Sequence, residues 1–263
     1  MDYSHYERIK MDRRGRILTV TLTRPETLNA VDQRMHDELA TIFYDVQLDE
    51  QADVIVLTGA GSAFSAGGDL NWLAHIAQTA SIGSLAVDAK KIVFGLLDLE
   101  KPIIARIPGP CVGLGATIAL LCDVSYAAES ARIGDPHVRV GLVAGDGGAV
   151  IWPQLVGYAR AKEYLLTGDL LPAREAERIG LINHVVPDEE LDRHVYELAE
   201  RLATGATKAI RWTKTAVNIG LKQLAHSVMD AAISYELLTF ATKDHREAVA
   251  AFQEKRKPTF HGG

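Results

Sequence analysis

The sequence lacks the patterns that mark several classes of function. It contains no Cys-x-x-Cys and no His-Glu-x-x-His spacing in its 263 residues, so a metal site is not predicted. The two cysteines, Cys111 and Cys122, lie in apolar surroundings and are interpreted as reduced core thiols. There is no basic tract, and the formal net charge of -6 argues against a nucleic-acid partner.

Long hydrophobic runs are also absent. No stretch of about 18 apolar residues is available to span a membrane, and residues 1–16 are polar and charged, unlike a signal peptide. We therefore expect a cytoplasmic protein with no membrane partner. Hydrophobic residues make up 48% of the chain and charged residues 24%, so there is enough apolar material for one sizeable core.

Strand and helix patterns alternate through the first two thirds of the chain. Residues 16–23 alternate apolar and polar side chains, which predicts a half-buried strand. Three short apolar runs predict further strands: 54–57, 103–107 and 124–127. Asp32 is a good N-cap for an amphipathic helix that continues to Val46, and further helices are predicted over 82–99 and 116–121. This alternation predicts an α/β fold.

Strand patterns stop after residue 187. Three helical segments follow: 189–203, 208–219 and 221–256. We therefore divide the chain into an α/β core, residues 1–190, and a helical C-terminal region, residues 191–263.

Two glycine-rich loops follow predicted strands, at residues 59–69 and 113–116. Neither contains Gly-x-x-x-x-Gly-Lys-Ser/Thr or completes Gly-x-Gly-x-x-Gly, so neither is a nucleotide loop. Tight turns at positive φ would explain one such loop. Two of them can each present a backbone N–H to the same oxygen and stabilise negative charge on a carbonyl. The second loop opens a helix, whose dipole adds positive character.

Seven segments along the chain carry recognisable motifs: 22–30, 64–70, 101–105, 109–115, 122–123, 161–168 and 173–186. Through these motifs, which occur in family order, the sequence resembles the enoyl-CoA hydratase/isomerase (crotonase) family over nearly its whole length. The resemblance implies a ββα spiral core, a helical region that trimerises, and an acyl-CoA substrate handled in an oxyanion hole. It also implies a role in fatty acid metabolism, with no cofactor beyond the coenzyme A of the substrate.

The resemblance assigns binding roles residue by residue. It places the first oxyanion amide on Gly68 and the second on Leu114, where the family usually has glycine. Ala66 matches the position whose backbone faces the adenine of coenzyme A. Lys257 and Phe260, in the basic C-terminal segment, resemble the family's segment near the coenzyme A phosphates and adenine.

A homotrimer or a dimer of trimers is expected as the partner state. The family trimerises through the helical region. Apolar side chains there exceed what packing on the chain's own core requires, for example Met229, Ile233, Leu237 and Phe240.

The sequence departs from the family at the two glutamates that hydratases use to activate water. Those positions fall on Thr117, which is not a useful base near neutral pH, and on His137, which titrates there. With Asp146, His137 resembles the branch containing oxo-camphor hydrolase, in which a neutral histidine is the base and an aspartate supports it. A second histidine of that branch is not matched. Without the resemblance, His137 would be a loop histidine and Asp146 a helix N-cap.

Three functions remain open from the sequence. The first is a hydratase/isomerase-type lyase that acts on an acyl-CoA with His137 and Asp146 in place of the glutamates. The second is a hydrolase that cleaves a C–C bond of a β-dicarbonyl in a retro-Claisen reaction. The third is a non-catalytic protein of the same fold, against which the intact glycine loops argue. The other histidines in helical segments, such as His36, His75 and His226, are expected on the surface.

Overall fold

The structure is a computed structural model that describes residues 1–79 and 84–263. The described strands form two sheets. The strands are β1 (Ile9–Arg14), β2 (Ile17–Leu22), β3 (Val54–Gly59), β4 (Ile103–Ile107), β5 (Cys111–Val112), β6 (Val124–Ala128), β7 (Arg132–Gly134), β8 (Leu171–Pro172) and β9 (His184–Val186). The larger sheet has the order β1-β2-β3-β4-β6-β9 and the smaller one β5-β7-β8.

Helices connect and cover these strands. They are α1 (Gln33–Leu48), α2 (Leu70–Thr79), α3 (Leu85–Asp98), α4 (Leu114–Leu120), α5 (Gly148–Thr167), α6 (Ala173–Arg178), α7 (Leu191–Ala203), α8 (Thr207–Phe240) and α9 (Lys243–Gln253). Three short 3-10 helices lie at Pro25–Thr27, His137–Val140 and Asp188–Glu190. The α/β class is confirmed. No helix in the described ranges is long and apolar enough to cross a bilayer.

The central strand β3 of the large sheet is buried on both faces. β1 and β2 form an antiparallel pair, and every later pairing in this sheet is parallel. Because side chains alternate across a strand, Ile55 and Leu57 of β3 join the main core while Val54 and Val56 pack toward α7. Burial on both faces explains why β3 is apolar throughout instead of alternating.

Several predicted elements lie where expected. The strand predicted at 103–107 is β4, and the one predicted at 16–23 is β2. Asp32 caps α1 by accepting a hydrogen bond from the Met35 amide at 2.8 Å. The helix predicted over 82–99 is α3 from residue 85 onward, and positions 82 and 83 lie outside the described residues. Both cysteines are free thiols whose pKa is raised by burial, so they are chemically inert.

The C-terminal helices differ from the prediction in two respects. The expected break near Gly220 does not occur, and α8 runs continuously through it. The helix ends instead at Phe240, and Thr242 caps α9 by accepting from the His245 amide at 3.1 Å. A mid-helix glycine costs only about 1 kcal/mol, and packing of α8 on α3 and α5 offsets that cost.

The apolar face of α8 that was expected to be left over for a trimer is covered by the chain itself. Met229 and Ile233 belong to the main core, and Phe240 packs with Ile76 and Leu142. That reason for a trimer is therefore wrong. The apolar side chains that α8 leaves exposed are different ones: Trp212, Val217, Ile219, Tyr235 and Leu238.

Candidate active site

The first glycine loop, which follows β3, is held by backbone and side-chain hydrogen bonds from residues 28–31. Asn29, fully buried, donates from its amide nitrogen to the carbonyls of Ala60 and Ala63, both at 2.8 Å. The Val31 amide donates to the carbonyl of Gly67 at 2.7 Å. The segment that carries the N-terminal family motif thus fixes the conformation of the first loop.

The second glycine loop lies directly against the first. The Val112 amide donates to the carbonyl of Ser65 at 2.9 Å. Gly67 and Gly113 both have positive φ, and a Cβ on Gly67 would lie 3.0 Å from the Val112 oxygen and 3.6 Å from the Gly113 Cα. Only residues without a side chain allow this approach at that backbone conformation.

Gly68 and Leu114 bring backbone amides to one cavity. Both residues line it. Leu114 is the first residue of α4, where an amide has no intrahelical acceptor and the helix dipole is positive. Within residues 1–79 and 84–263, neither amide has a hydrogen-bond acceptor. Both are therefore available to a ligand oxygen, and their convergence on one oxygen stays a prediction.

The cavity has a volume of about 570 Å³ and a mainly apolar wall. Its wall is formed by both glycine loops and by side chains of α2, α3, α8 and α9, together with the segment that contains His137 and Asp146. The apolar part includes Leu73, Leu85, Ala89, Leu142, Ile233, Leu237, Phe240 and Phe252. A cavity of this size and character suits an acyl chain next to a few polar groups.

The smaller sheet places His137 beside the second glycine loop. β5 pairs with β7, and the Gly113 amide donates to the carbonyl of Gly134 at 3.0 Å. The chain then turns at Pro136 into the 3-10 helix that begins with His137. As a result, a Cβ on Gly113 would lie only 3.6 Å from Cε1 of His137.

His137 is held between two buried carboxylates. Its Nδ1 is in short contact with Oδ1 of Asp135, and its Nε2 lies 3.5 Å from Oδ2 of Asp146. Asp135 is 1% exposed and Asp146 6%. The expected pairing of His137 with Asp146 is therefore present, and Asp135 adds a second partner that the sequence analysis missed.

This arrangement sets the protonation state of His137. Burial by itself lowers the pKa of the imidazole, but the charges of Asp135 and Asp146 outweigh it and raise the pKa well above its ordinary value. These charges favour the imidazolium, whereas the sequence analysis expected a neutral base, and the catalytic role of His137 stays a prediction. Burial also raises the pKa of Asp146, which the charge of His137 only partly counteracts.

Thr117, to which the resemblance assigns one of the two glutamate positions, contacts Asp146. It is fully buried on α4, and its Oγ1 lies 3.3 Å from Oδ1 of Asp146. The hydroxyl therefore donates to the carboxylate. Thr117 is more than a plain helix residue, because it helps to orient Asp146. Asp146 itself is not the helix N-cap, a position held by Gly147.

Glu236 is the acid that sequence reasoning missed. It projects from α8 into the same cavity. Burial and the negative charge of Asp146 raise its pKa to about 8. The signal in the sequence was a single acid among apolar residues with helical spacing, at 229, 233, 237 and 240. That signal does not tell which part of the core the helix faces.

The residues expected to hold coenzyme A separate into two groups. Ala66 lines the cavity. Lys257 and Phe260 do not, because the C-terminal segment folds back on α9, with the Thr259 amide donating to Glu247 at 2.8 Å. Phe252, which precedes this segment, does line the cavity, so the basic tail begins near its wall.

His36 and the fully buried His245 are exceptions to the expectation of surface histidines, whereas His75 and His226 are exposed. His36 is 2% exposed, lines the cavity and packs against Trp72 at 5.3 Å between ring centroids. Burial lowers its pKa to about 4, so the ring is neutral.

Two groups of side chains in the described residues have the spacing of a metal site. One is His36 with Asp37 and Asp88, and the other is His137 with Asp135 and Asp146. In each group the ligand atoms lie within 4.8 Å of one another. In the second group both ring nitrogens of His137 already face carboxylates, so a proton and a metal ion would compete for the same place.

Comparisons with known proteins extend over nearly the whole chain. A family model described as enoyl-CoA hydratase/isomerase matches residues 12–263. Crotonyl-CoA hydratase of Syntrophomonas wolfei is 35% identical over 261 residues, which cover 97% of this chain and 98% of the relative. The 1,2-epoxyphenylacetyl-CoA isomerase of Escherichia coli is 36% identical over 250 residues, 94% of this chain and 95% of the relative. A crystal structure of an enoyl-CoA hydratase/isomerase from Mycobacterium paratuberculosis matches with a TM-score of 0.89 and 37% identity, over 92% of this chain and 97% of that one.

Proposed function

Because the chain belongs to the enoyl-CoA hydratase/isomerase family, we propose that it binds an acyl-CoA thioester with the carbonyl oxygen on the amides of Gly68 and Leu114. Two N–H donors at this oxygen stabilise the enolate that forms when the acyl chain gains or loses a proton or adds water. The acyl chain then lies along the apolar wall of the cavity.

The observation that carries the proposal is the ion pair of Asp146 and His137. In it, Asp146 is the base: its raised pKa makes it a better proton acceptor than an ordinary aspartate, and Thr117 and His137 orient its two oxygens. His137 keeps the carboxylate ionised. Its positive charge, close to Gly113, also favours the enolate oxygen on the neighbouring amides.

The same base serves the two reactions named in the relatives. For hydration it accepts a proton from water, whose oxygen attacks the β-carbon of a 2-enoyl thioester. For isomerisation it accepts a proton from the α-carbon of a 3-enoyl thioester and returns it to the γ-carbon. Neither reaction needs a cofactor besides the coenzyme A that the substrate carries.

A substrate panel tests the proposal. The purified protein is incubated with crotonyl-CoA, with a 3-enoyl-CoA and with a cyclic β-diketone, and product is followed by loss or gain of the conjugated thioester and by mass. Turnover of either thioester supports the proposal. Turnover of the diketone alone would instead support C–C bond hydrolysis. Binding of acyl-CoA without turnover would support a non-catalytic role.

We propose that the basic C-terminal tail contributes to coenzyme A binding. Lys257 and Phe260 follow Phe252 of the cavity wall and are exposed, so they are available to the phosphates and the adenine. Lys257→Ala should raise the KM for a coenzyme A thioester and leave unchanged the KM for the matching pantetheine thioester, which lacks those groups. An equal rise for both would contradict this role.

We also propose that the chain forms a homotrimer or a dimer of trimers. The support is the set of apolar side chains that α8 leaves in solvent, such as Trp212, 61% exposed, and Val217, 74% exposed. Light scattering coupled to gel filtration should give three or six chain masses. A monomer at micromolar concentration would contradict the proposal, and Trp212→Glu should shift a trimer toward monomer.

A further inference from the structure

Glu236 is the only acid on the cavity-facing stripe of α8. The stripe contains Ile233, Glu236, Leu237 and Phe240, all of which line the cavity at the spacing of one helical face. An acid on an apolar stripe costs desolvation energy unless it is neutral or paired. Its position therefore calls for a reason other than packing.

The turn that carries Asp146 packs directly on α8 at Glu236. A Cβ on Gly145 would lie 2.4 Å from the carbonyl oxygen of Ala232 and 2.8 Å from Cβ of Glu236. The approach is possible only because residue 145 is a glycine. It brings the Glu236 carboxyl to the same end of the cavity as Asp146.

No lysine or arginine in the described ranges forms an ion pair with Glu236. The charged groups that act on it are Asp146 and Asp135, which are negative, and His137, which is shared with both of them. Arg139 also lines the cavity, but it pairs with Asp169. Without a cation of its own, the carboxyl is held in its neutral form, in agreement with its pKa of about 8.

We propose that Glu236, as a neutral carboxylic acid, is the second acid–base residue of this site and gives its proton to the α-carbon of the enolate. This inference rests on the proposed acyl-CoA reaction. It assigns the two proton transfers to two carboxyls with different protonation states, Asp146 ionised and Glu236 neutral, in a family site where neither family glutamate is present.

The proton balance of a hydration closes with these two groups. Asp146 takes one proton from water while the hydroxyl oxygen bonds to the β-carbon, and the electrons of the double bond move to the thioester oxygen. As the enolate collapses, Glu236 gives its proton to the α-carbon. Asp146 is then protonated and Glu236 ionised, and transfer of one proton from Asp146 to Glu236 restores both.

The test compares Glu236→Gln with Asp230→Asn on the accepted thioester. Asp230 lies on the same helix, is exposed and, among the described residues, forms an ion pair with Lys90 alone. Asp230→Asn therefore controls for changes to α8. Glu236→Gln keeps the shape and a hydrogen-bond donor but cannot release a proton. We expect kcat to fall about a hundredfold to ten-thousandfold, with unchanged binding of a saturated acyl-CoA, and Asp230→Asn to match the wild type.

The pH profile gives an independent readout. Glu236 acts as an acid only while protonated, so wild-type kcat should fall as the pH rises through about 8. The residual activity of Glu236→Gln should lack that decrease. Glu236→Asp should keep the decrease and recover part of the rate, which a purely structural role would not produce.

An infrared titration of the wild type covers the case in which the variants do not fold. A protonated carboxyl band should persist at neutral pH and disappear at alkaline pH. The inference is overturned if the Glu236 carboxyl is ionised at neutral pH. It is also overturned if Glu236→Gln keeps the wild-type kcat and pH profile. If Asp146→Asn is impaired and Glu236→Gln is not, only this inference fails. If no thioester is turned over, the proposed function fails first.

Discussion

Replacement of Asp146 by asparagine is the most direct test of the base. Asparagine keeps the shape of the side chain and an oxygen that accepts from Thr117, but it removes the charge that pairs with His137 at 3.5 Å. General acid–base groups contribute about a hundredfold to ten-thousandfold to the rate, which corresponds to about 3–5 kcal/mol of barrier. We expect kcat to fall by that factor with little change in KM, because the amides of Gly68 and Leu114 are untouched.

Thr117 turns this prediction into a double-mutant cycle. Its hydroxyl makes one described side-chain contact, with Asp146 at 3.3 Å. Loss of a hydrogen bond worth about 0.5–1.5 kcal/mol predicts a two- to tenfold fall in kcat for Thr117→Val. In the Asp146→Asn background the same change should have almost no effect, because its partner no longer acts as a base.

The assay is steady-state turnover of the accepted thioester by the four proteins of the cycle, with circular dichroism to confirm folding. Additive effects of the two substitutions would show that Thr117 does not act through Asp146. Turnover by Asp146→Asn close to the wild-type rate would refute the assignment of the base. A rise confined to KM, with kcat unchanged, would place Asp146 in binding instead of chemistry.

The remaining predictions concern the donors and charges around this pair. Leu114→Pro removes one N–H at the first position of α4, where a helix tolerates proline, and should lower kcat about a hundredfold to a thousandfold; Leu114→Ala, which keeps the amide, should not. His137→Ala leaves Asp135 and Asp146 buried without their cation, so denaturant unfolding should show a loss of about 3–5 kcal/mol together with lost turnover. Wild-type kcat should fall as the pH drops through the raised pKa of Asp146, because a protonated carboxyl accepts no proton. Prolonged dialysis against a chelator should leave turnover unchanged, and restoration of lost turnover by a divalent cation would instead assign the Asp135–His137–Asp146 group to a metal.

The fold could be predicted where local pattern and burial agree. α1 shows its N-cap at Asp32 and a regular apolar stripe, and β3 and β4 show short apolar runs. β1 was missed because it is an edge strand whose outward side chains are charged. The start of α5 was expected, since Asp146 was interpreted as a possible helix N-cap, but its extent was not, because Pro153 and the non-helical Gly157, with φ 76° and ψ 161°, interrupt its periodicity.

The site could be predicted only as far as family motifs reach. Gly68, Leu114, His137 and Asp146 all line the cavity, as their motif positions indicated. The protonation state of His137 was not predictable, because it depends on Asp135, two residues earlier, whose contact requires the turn at Pro136. Glu236 was missed because its neighbours in the cavity are distant in sequence and its role depends on which face of α8 turns inward.

The residues around Asp146 explain how this chain brings an aspartate into contact with both His137 and Thr117. Gly147 has φ +120°, and a Cβ there would lie 2.8 Å from Cγ2 of Thr117, while a Cβ on Gly148 would lie 2.2 Å from Oδ2 of Asp135. The turn can enter the cluster only because Gly145, Gly147 and Gly148 lack side chains. Thr117 and the glycine-rich turn therefore fit against each other, and together they place the carboxylate of Asp146, from the turn before α5, against α4.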